Sequence, residues 1–179
     1  MLDHRGVASH YGDVLETGVS WAYETRYLEP LVEPGDVVVD VGANYGYTTS
    51  YFSSEVGLDG FVLSLEPEPD TRALLEHNVR SNGHANVEIV AAAAGSAAGS
   101  VQLWRSSTNL ATHALNPALV RNVKDSVTVD VVTVDELCAT RMGGRLPTIL
   151  KIDVEGWEWA VLAEGKHQLV GILYLHATQ

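Results

Sequence analysis

The sequence predicts an α/β fold: a mostly parallel, doubly wound sheet with a ligand site at the strand tips. Three observations carry this. Val37 to Val41 is an apolar run broken only by Asp40, and a short run without polar alternation reads as a strand buried on both faces, as in parallel sheets. A glycine-spaced turn, Gly42-Ala43-Asn44-Tyr45-Gly46, follows at once. It lets backbone approach a ligand where a Cβ would collide, and it aims the amides of the next helix start at the crevice. Beyond it, strands and helices alternate at spacings that suit right-handed parallel crossovers.

Taken in order, residues 1 to 17 are mixed and specify little. Val19, Tyr23, Tyr27 and Leu31 recur at steps of four, one face of an amphipathic helix over 19–33 that Pro34-Gly35 ends. The chain therefore divides into an N-terminal helical segment, 1–34, and one domain, 35–179. After the opening strand and turn, Thr48 to Val56 reads as a helix closed by Gly57. Phe61 to Glu66 is a second buried strand, stopped by Pro67 and Pro69. Asp70 is suited to cap a helix that holds Leu74, Leu75, Asn78 and Val79 and ends near Asn82-Gly83. Val87 to Ala94 is a third strand. A short strand at Ser100–Trp104, a polar loop from Ser106 to Lys124 and a strand at Val127–Val134 follow. Asp135-Glu136 caps and charges a short helix through Met142. Thr148 to Asp153 is another buried strand, Trp157 to Val170 a helix, and Ile172 to Leu175 the start of a last strand.

A chain of 179 residues suits one domain that buries roughly two-thirds of its unfolded surface. The formal net charge is −12. Phosphate backbones need clustered Lys and Arg, so a nucleic-acid partner is not expected, nor is adhesion to anionic membrane. Cys138 is the single cysteine and has no internal disulfide partner, which points to a reducing compartment. No basic-then-apolar leader opens the chain, and no apolar run approaches membrane-spanning length. A cytoplasmic location is the expectation.

A dinucleotide fingerprint G-x-G-x-x-G would place glycine at Asn44 and Tyr47, so two of its three glycines are missing. The NTPase phosphate loop is absent too, since no Lys-Ser or Lys-Thr follows the glycines. What stands is D-x-G-x-x-x-G with an acidic residue, Glu66, ending the next strand about 20 residues on. A carboxylate there can accept both hydrogen bonds of a ribose diol. Asp40 places negative charge beside the turn, where it would repel pyrophosphate and suit a sulfonium. Together these features favour S-adenosylmethionine over NAD or ATP.

Several blocks resemble, in order, those of the FkbM-type methyltransferases: VVVDVGANYGYTTSYF, LSLEPEPDTRALLEHNVRSNG, VEIVAAAAGS, VTVDVVTVDEL and above all LKIDVEGWEWAVLAEG. STNLATHAL, around Asn109, is a fainter match. The resemblance runs from about Glu24 to Leu175 and implies a Rossmann-like class I methyltransferase fold. It implies S-adenosylmethionine as cofactor and a small-molecule hydroxyl, on a sugar or natural-product scaffold, as methyl acceptor. Carried onto this chain, Asp40, Gly42, Ala43, Asn44 and Gly46 would wall the methionine end of the cofactor. Glu66 would hold the ribose, Ala93 would lie against the adenine, and Asp153 and Glu155 would project from a strand tip. His176 stands where the family usually has an acidic residue. The family's fold continues through a further helix and a closing hairpin, so the expectation is either a fragment or a sheet with a bare last strand, a surface for homo-oligomer pairing.

Methyl transfer to an alcohol needs in-line placement of acceptor, methyl and sulfur, and a base to take the hydroxyl proton. Asp153 and Glu155 sit two apart, and on continued strand geometry they would face one side. Glu155 is assigned as base and Asp153 as cofactor or substrate anchor, with His176 a second candidate base. The same two carboxylates also suit a divalent cation or a cap for the helix near Trp157. No His/Cys cluster points to a metal site. An NAD(P)-binding oxidoreductase and a non-catalytic cofactor-binding remnant are the alternatives.

Overall fold

The computed structural model describes residues 31–108, 113–163 and 172–175, the last four as backbone only. The expected 19–33 helix, apart from its last residues, therefore lies outside the described residues, as do Asn109, residues 164–170 of the expected Trp157–Val170 helix, and His176. In chain order the elements are β1 (Val37–Val41), α1 (Tyr47–Val56), β2 (Phe61–Leu65), α2 (Pro69–Ser81), β3 (Val87–Val90) and β4 (Ala93–Ala94). Then come β5 (Gly99–Ser106), β6 (Val123–Val132), α3 (Val134–Arg141), β7 (Ile149–Ile152), α4 (Glu158–Leu162) and β8 (Ile172–Leu175).

Five strands make one sheet in the order β3-β2-β1-β7-β8, every neighbouring pair parallel. The strand order reverses at β1: the chain builds outward to β2 and β3 on one side and returns to β7 and β8 on the other. That switch point opens a crevice at the strands' carboxyl ends, where α/β sheets bind ligands.

Alternation along the strands explains the two helical layers. Val38, Val62 and Ile149 face Tyr51, Phe52 and Val56 of α1. Val37, Val39, Val41, Leu63, Leu65, Leu150 and Ile152 face Val134, Leu137, Met142 and Val161 on α3, its C-cap and α4. Both faces are covered, so the strands are apolar without polar alternation.

The structure corrects several sequence expectations. The run Val87 to Ala94 is two strands: β3 ends at Val90, and β4 pairs instead with β6 in a second, three-stranded sheet of order β4-β6-β5. There β5 and β6 form a long antiparallel pair with a register shift at Arg105/Ser106. Of the loop expected over Ser106–Lys124, Ser106 ends β5 and Val123 and Lys124 begin β6; among the described residues between them are a 3-10 turn at Pro117–Leu119 and a bridge from Ala114 to Trp104. The cap of α2 is Glu68, whose side chain accepts from Thr71 N. Asp70 lies inside the first turn because Pro69, suited to the first helical position, starts the helix one residue earlier. Thr133, not Asp135, caps α3 by accepting from Glu136 N at 3.1 Å. Among the described residues, no helix is long and apolar enough to cross a membrane.

Candidate active site

The turn after β1 is pinned from two sides. The amides of Gly42 and Ala43 both donate to the Leu65 carbonyl, at 3.1 and 2.9 Å, tying it to the tip of β2. Asp153 N donates to Val41 O at 3.1 Å, tying β1 to the exit of β7. Gly42 has φ +76, and a Cβ there would overlap the Asp153 carbonyl oxygen. The approach of one protein backbone to another thus by itself requires glycine here. Gly46 (φ +88) starts α1, and a Cβ there would meet Leu75 of α2. Its role is close helix packing, the one the third fingerprint glycine plays elsewhere.

Asn44 and Glu66 meet at the centre of the site. Asn44, at φ 52, donates its amide to Glu66 Oε2 at 2.9 Å, while its own Oδ1 accepts from Tyr45 N. Glu66 Oε1 accepts from Glu68 N at 2.8 Å. Two amides thus fix the carboxylate and leave a lone pair on each oxygen. Burial pushes the Glu66 carboxyl up to about 7, against the lowering pull of the Glu68 and Asn44 amides. Asn78 of α2 closes the turn from behind by donating to Tyr45 O at 2.7 Å.

The expectation that Asp40 offers its charge to the ligand is corrected. Its side chain is wholly buried and ion-paired to Lys151 Nζ at 3.0 Å. It also accepts from the Thr48 and Thr49 hydroxyls at 2.9 and 2.8 Å. The charge is compensated inside the protein and anchors the start of α1. Lys151 donates as well to Gly42 O at 2.8 Å and lies 4.0 Å from Asp153 Oδ2, so one buried ammonium joins the tips of β1 and β7. Ala93, expected against the adenine, belongs to β4 and packs with Leu103 and Val129.

Asp153 and Glu155 lie just past β7, but strand geometry ends at Ile152. Glu155 adopts φ 51 and Gly156 φ 88, so the two carboxylates are not strand neighbours on one face. Trp157, the N-cap of α4, makes no side-chain capping bond, and it is Glu158 Oε1 that accepts from Val154 N and Gly156 N, at 3.3 and 3.1 Å. Leu119 presses on this turn, since a Cβ at Gly156 would lie 2.6 Å from its Cδ1. Among the described residues, no group of three or more His, Cys, Asp or Glu converges as a metal site would require.

A fixed carboxylate at the tip of β2, a glycine turn at β1 and two carboxylates past β7 thus lie at the carboxyl-end edge of one parallel sheet. The family model for the methyltransferase FkbM domain matches residues 40–176. The chain belongs to the FkbM methyltransferase family. Its cofactor is S-adenosylmethionine, and the oxidoreductase alternative is set aside. The FkbM methyltransferase of Methylobacillus flagellatus KT is a similar solved structure, at 18% identity over 87% of this chain and 40% of that one, TM-score 0.48. Coclaurine N-methyltransferase bound to N-methylheliamine and S-adenosylhomocysteine matches at 15% identity over 86% and 34%, TM-score 0.49. Aeropyrum pernix fibrillarin with natively bound S-adenosylmethionine matches at 15% over 68% and 35%, TM-score 0.37. The chain spans 34% to 40% of the length of these proteins. No curated protein matches it.

This FkbM domain also uses residues that the sequence did not single out. Glu68 is buried and paired with Arg105 of β5 at 3.3 Å; the two are far apart in the chain, so only the fold reveals the pair. Asn78 carried no signal beyond its place in a helical pattern. Lys151 is different, because the sequence does single it out: a lysine within a buried strand is expected to snorkel or to pair with a neighbouring carboxylate, and Asp40 is that partner.

Proposed function

We propose that this FkbM domain is an O-methyltransferase acting on a hydroxyl of a sugar or natural-product-type small molecule. The observation that supports this reading is the Asn44–Glu66 junction at the switch point, with Asp153 and Glu155 following β7, the strand paired to the other side of β1. The donor set suits the cofactor: each Glu66 oxygen holds one lone pair for a ribose hydroxyl, and the 42–46 turn lines the space beside it. Bound S-adenosylmethionine supplies an electrophilic methyl group on a sulfonium.

The protein's part is placement and proton removal. Holding the acceptor oxygen in line is worth roughly 7–11 kcal/mol at best. Glu155 takes the hydroxyl proton as the oxygen forms its new bond, an effect of roughly 100–10,000-fold, and Asp153 anchors the acceptor or cofactor. Glu155's left-handed backbone supports that role. A non-glycine residue pays roughly 1–2 kcal/mol to sit there, and such strain clusters at functional sites. His176 is the second candidate base. The setting is reducing and cytoplasmic, consistent with the lone free Cys138. β8, which among the described residues pairs only with β7, is a surface for homo-oligomer pairing.

The test is a mass spectrum of products from a mixture of hydroxyl-bearing acceptors incubated with methyl-labelled cofactor. Label on oxygen supports the proposal. Label on nitrogen or carbon alone contradicts it, and cofactor binding with no labelled product would favour the non-catalytic remnant.

A further inference from the structure

The small sheet is not an ornament on the parallel one; a single arginine ties it to the cofactor carboxylate. Arg105 (β5) and Asp125 (β6) face each other across the antiparallel pair. Asp125 grips the guanidinium through two bonds, Nε to Oδ1 at 2.6 Å and Nη2 to Oδ2 at 2.7 Å. A fork held this way has one preferred direction for its remaining nitrogen. That nitrogen, Nη1, reaches across to the start of α2, to Glu68 Oε1 at 3.3 Å and Asp70 Oδ2 at 3.5 Å. Glu68 is the hub of the corner: its Oε2 caps α2 through Thr71 N at 2.7 Å, and its amide is one of the two that hold Glu66.

We propose that Arg105 is a positioning residue for the cofactor's ribose, holding Glu68 so that the Glu68 amide keeps the Glu66 carboxylate aimed at the crevice. The inference rests on the reading of Glu66 as the ribose acceptor. Three carboxylates, Glu66, Glu68 and Asp70, crowd this corner, and the Glu68 charge itself opposes ionisation of Glu66. Lys151 lowers Glu66 itself, and Arg105 is the cation paired with Glu68 and Asp70. Arg72 does not substitute for it, because its Nη1 donates to the Glu66 and Pro67 carbonyls, at 3.3 and 3.1 Å, and so holds backbone rather than Glu68. The side chain of Glu68 is 1% exposed, and an unpaired charge so deep would pull the corner apart.

The experiment compares two ligands by titration calorimetry: S-adenosylhomocysteine and its 2′,3′-dideoxyribose analogue, which lacks the diol. Wild type should prefer the diol. Arg105→Met alone strands a buried carboxylate, so the main variant is Glu68→Gln/Arg105→Met, which removes both charges, with Arg105→Lys as the conservative partner. In the double variant the preference for the diol should shrink, of the order of tenfold, while affinity for the dideoxy analogue holds. Arg105→Lys should restore part of it. An unchanged preference, or equal weakening of both ligands, overturns the inference and leaves Arg105 as scaffold. A wild type that does not distinguish the ligands, and is unmoved by Glu66→Gln, removes the ribose role of Glu66 itself and the inference with it.

Discussion

Acidification from about pH 8 to about pH 6 should weaken S-adenosylhomocysteine binding roughly tenfold, because the ionised fraction of a carboxyl titrating near 7 falls from about nine-tenths to about one-tenth. A ribose diol donates both its hydrogen bonds to Glu66 only when the carboxylate is charged. Stability of the unliganded protein should move the opposite way. Burial raises the folded-state value from 4.5 to about 7, so between those values the native state holds a proton that the unfolded chain has lost. This contribution is complete below the unfolded value and disappears as pH rises through the folded one, about 3 kcal/mol in the limit. The assay is calorimetric titration across this range, paired with urea unfolding of the empty protein, each compared with Glu66→Gln. The comparison matters because His84 and His113, whose values burial lowers, also titrate on acidification. Wild-type affinity that is flat with pH, or a Glu66→Gln protein that keeps the same slope, would refute the reasoning.

Other outcomes follow from the same contacts. Gly42→Ala should cost about 3 kcal/mol or more in urea unfolding, since left-handed strain adds to backbone overlap with Asp153. Gly35→Ala, also at positive φ but with nothing within 4 Å, should cost only about 1–2 kcal/mol. Lys151→Met leaves Asp40 buried and uncompensated, so thermal unfolding should show a loss of about 3–5 kcal/mol, much of it recovered in Asp40→Asn/Lys151→Met. Glu155→Gln should cut turnover by roughly 100–10,000-fold in steady-state kinetics with cofactor affinity near normal; equal loss of binding would move Glu155 out of the base role.

Much of the site was legible because it is local. An unalternating β1, a glycine turn at its tip and an acid at the tip of β2 sit on consecutive elements, and parallel pairing brings them together whatever the rest of the chain does. Asp40 was placed beside the turn correctly but given the wrong partner. Its face of β1 is shared with Lys151 of β7, a neighbour that strand order alone reveals. The small sheet was the least legible part. GSVQLWRS and VKDSVTVDVV are exposed along much of their length, so their apolar residues form a weak pattern and the ends of the pairing went unseen. The Val87 to Ala94 run was read as one strand for a related reason: an unbroken apolar run hides the point where the chain leaves one sheet for another. The Glu68 cap was readable in principle, since a proline at the first helical position marks the residue before it as the cap.

The most direct measurement is a competition on the purified protein between S-adenosylmethionine and NAD, followed by heat release. With Glu66, Asp153 and Glu155 at or just past the strand tips, the protein should take the sulfonium cofactor and show no heat with the pyrophosphate one. Saturable NAD binding with none for S-adenosylmethionine would contradict the account at its root.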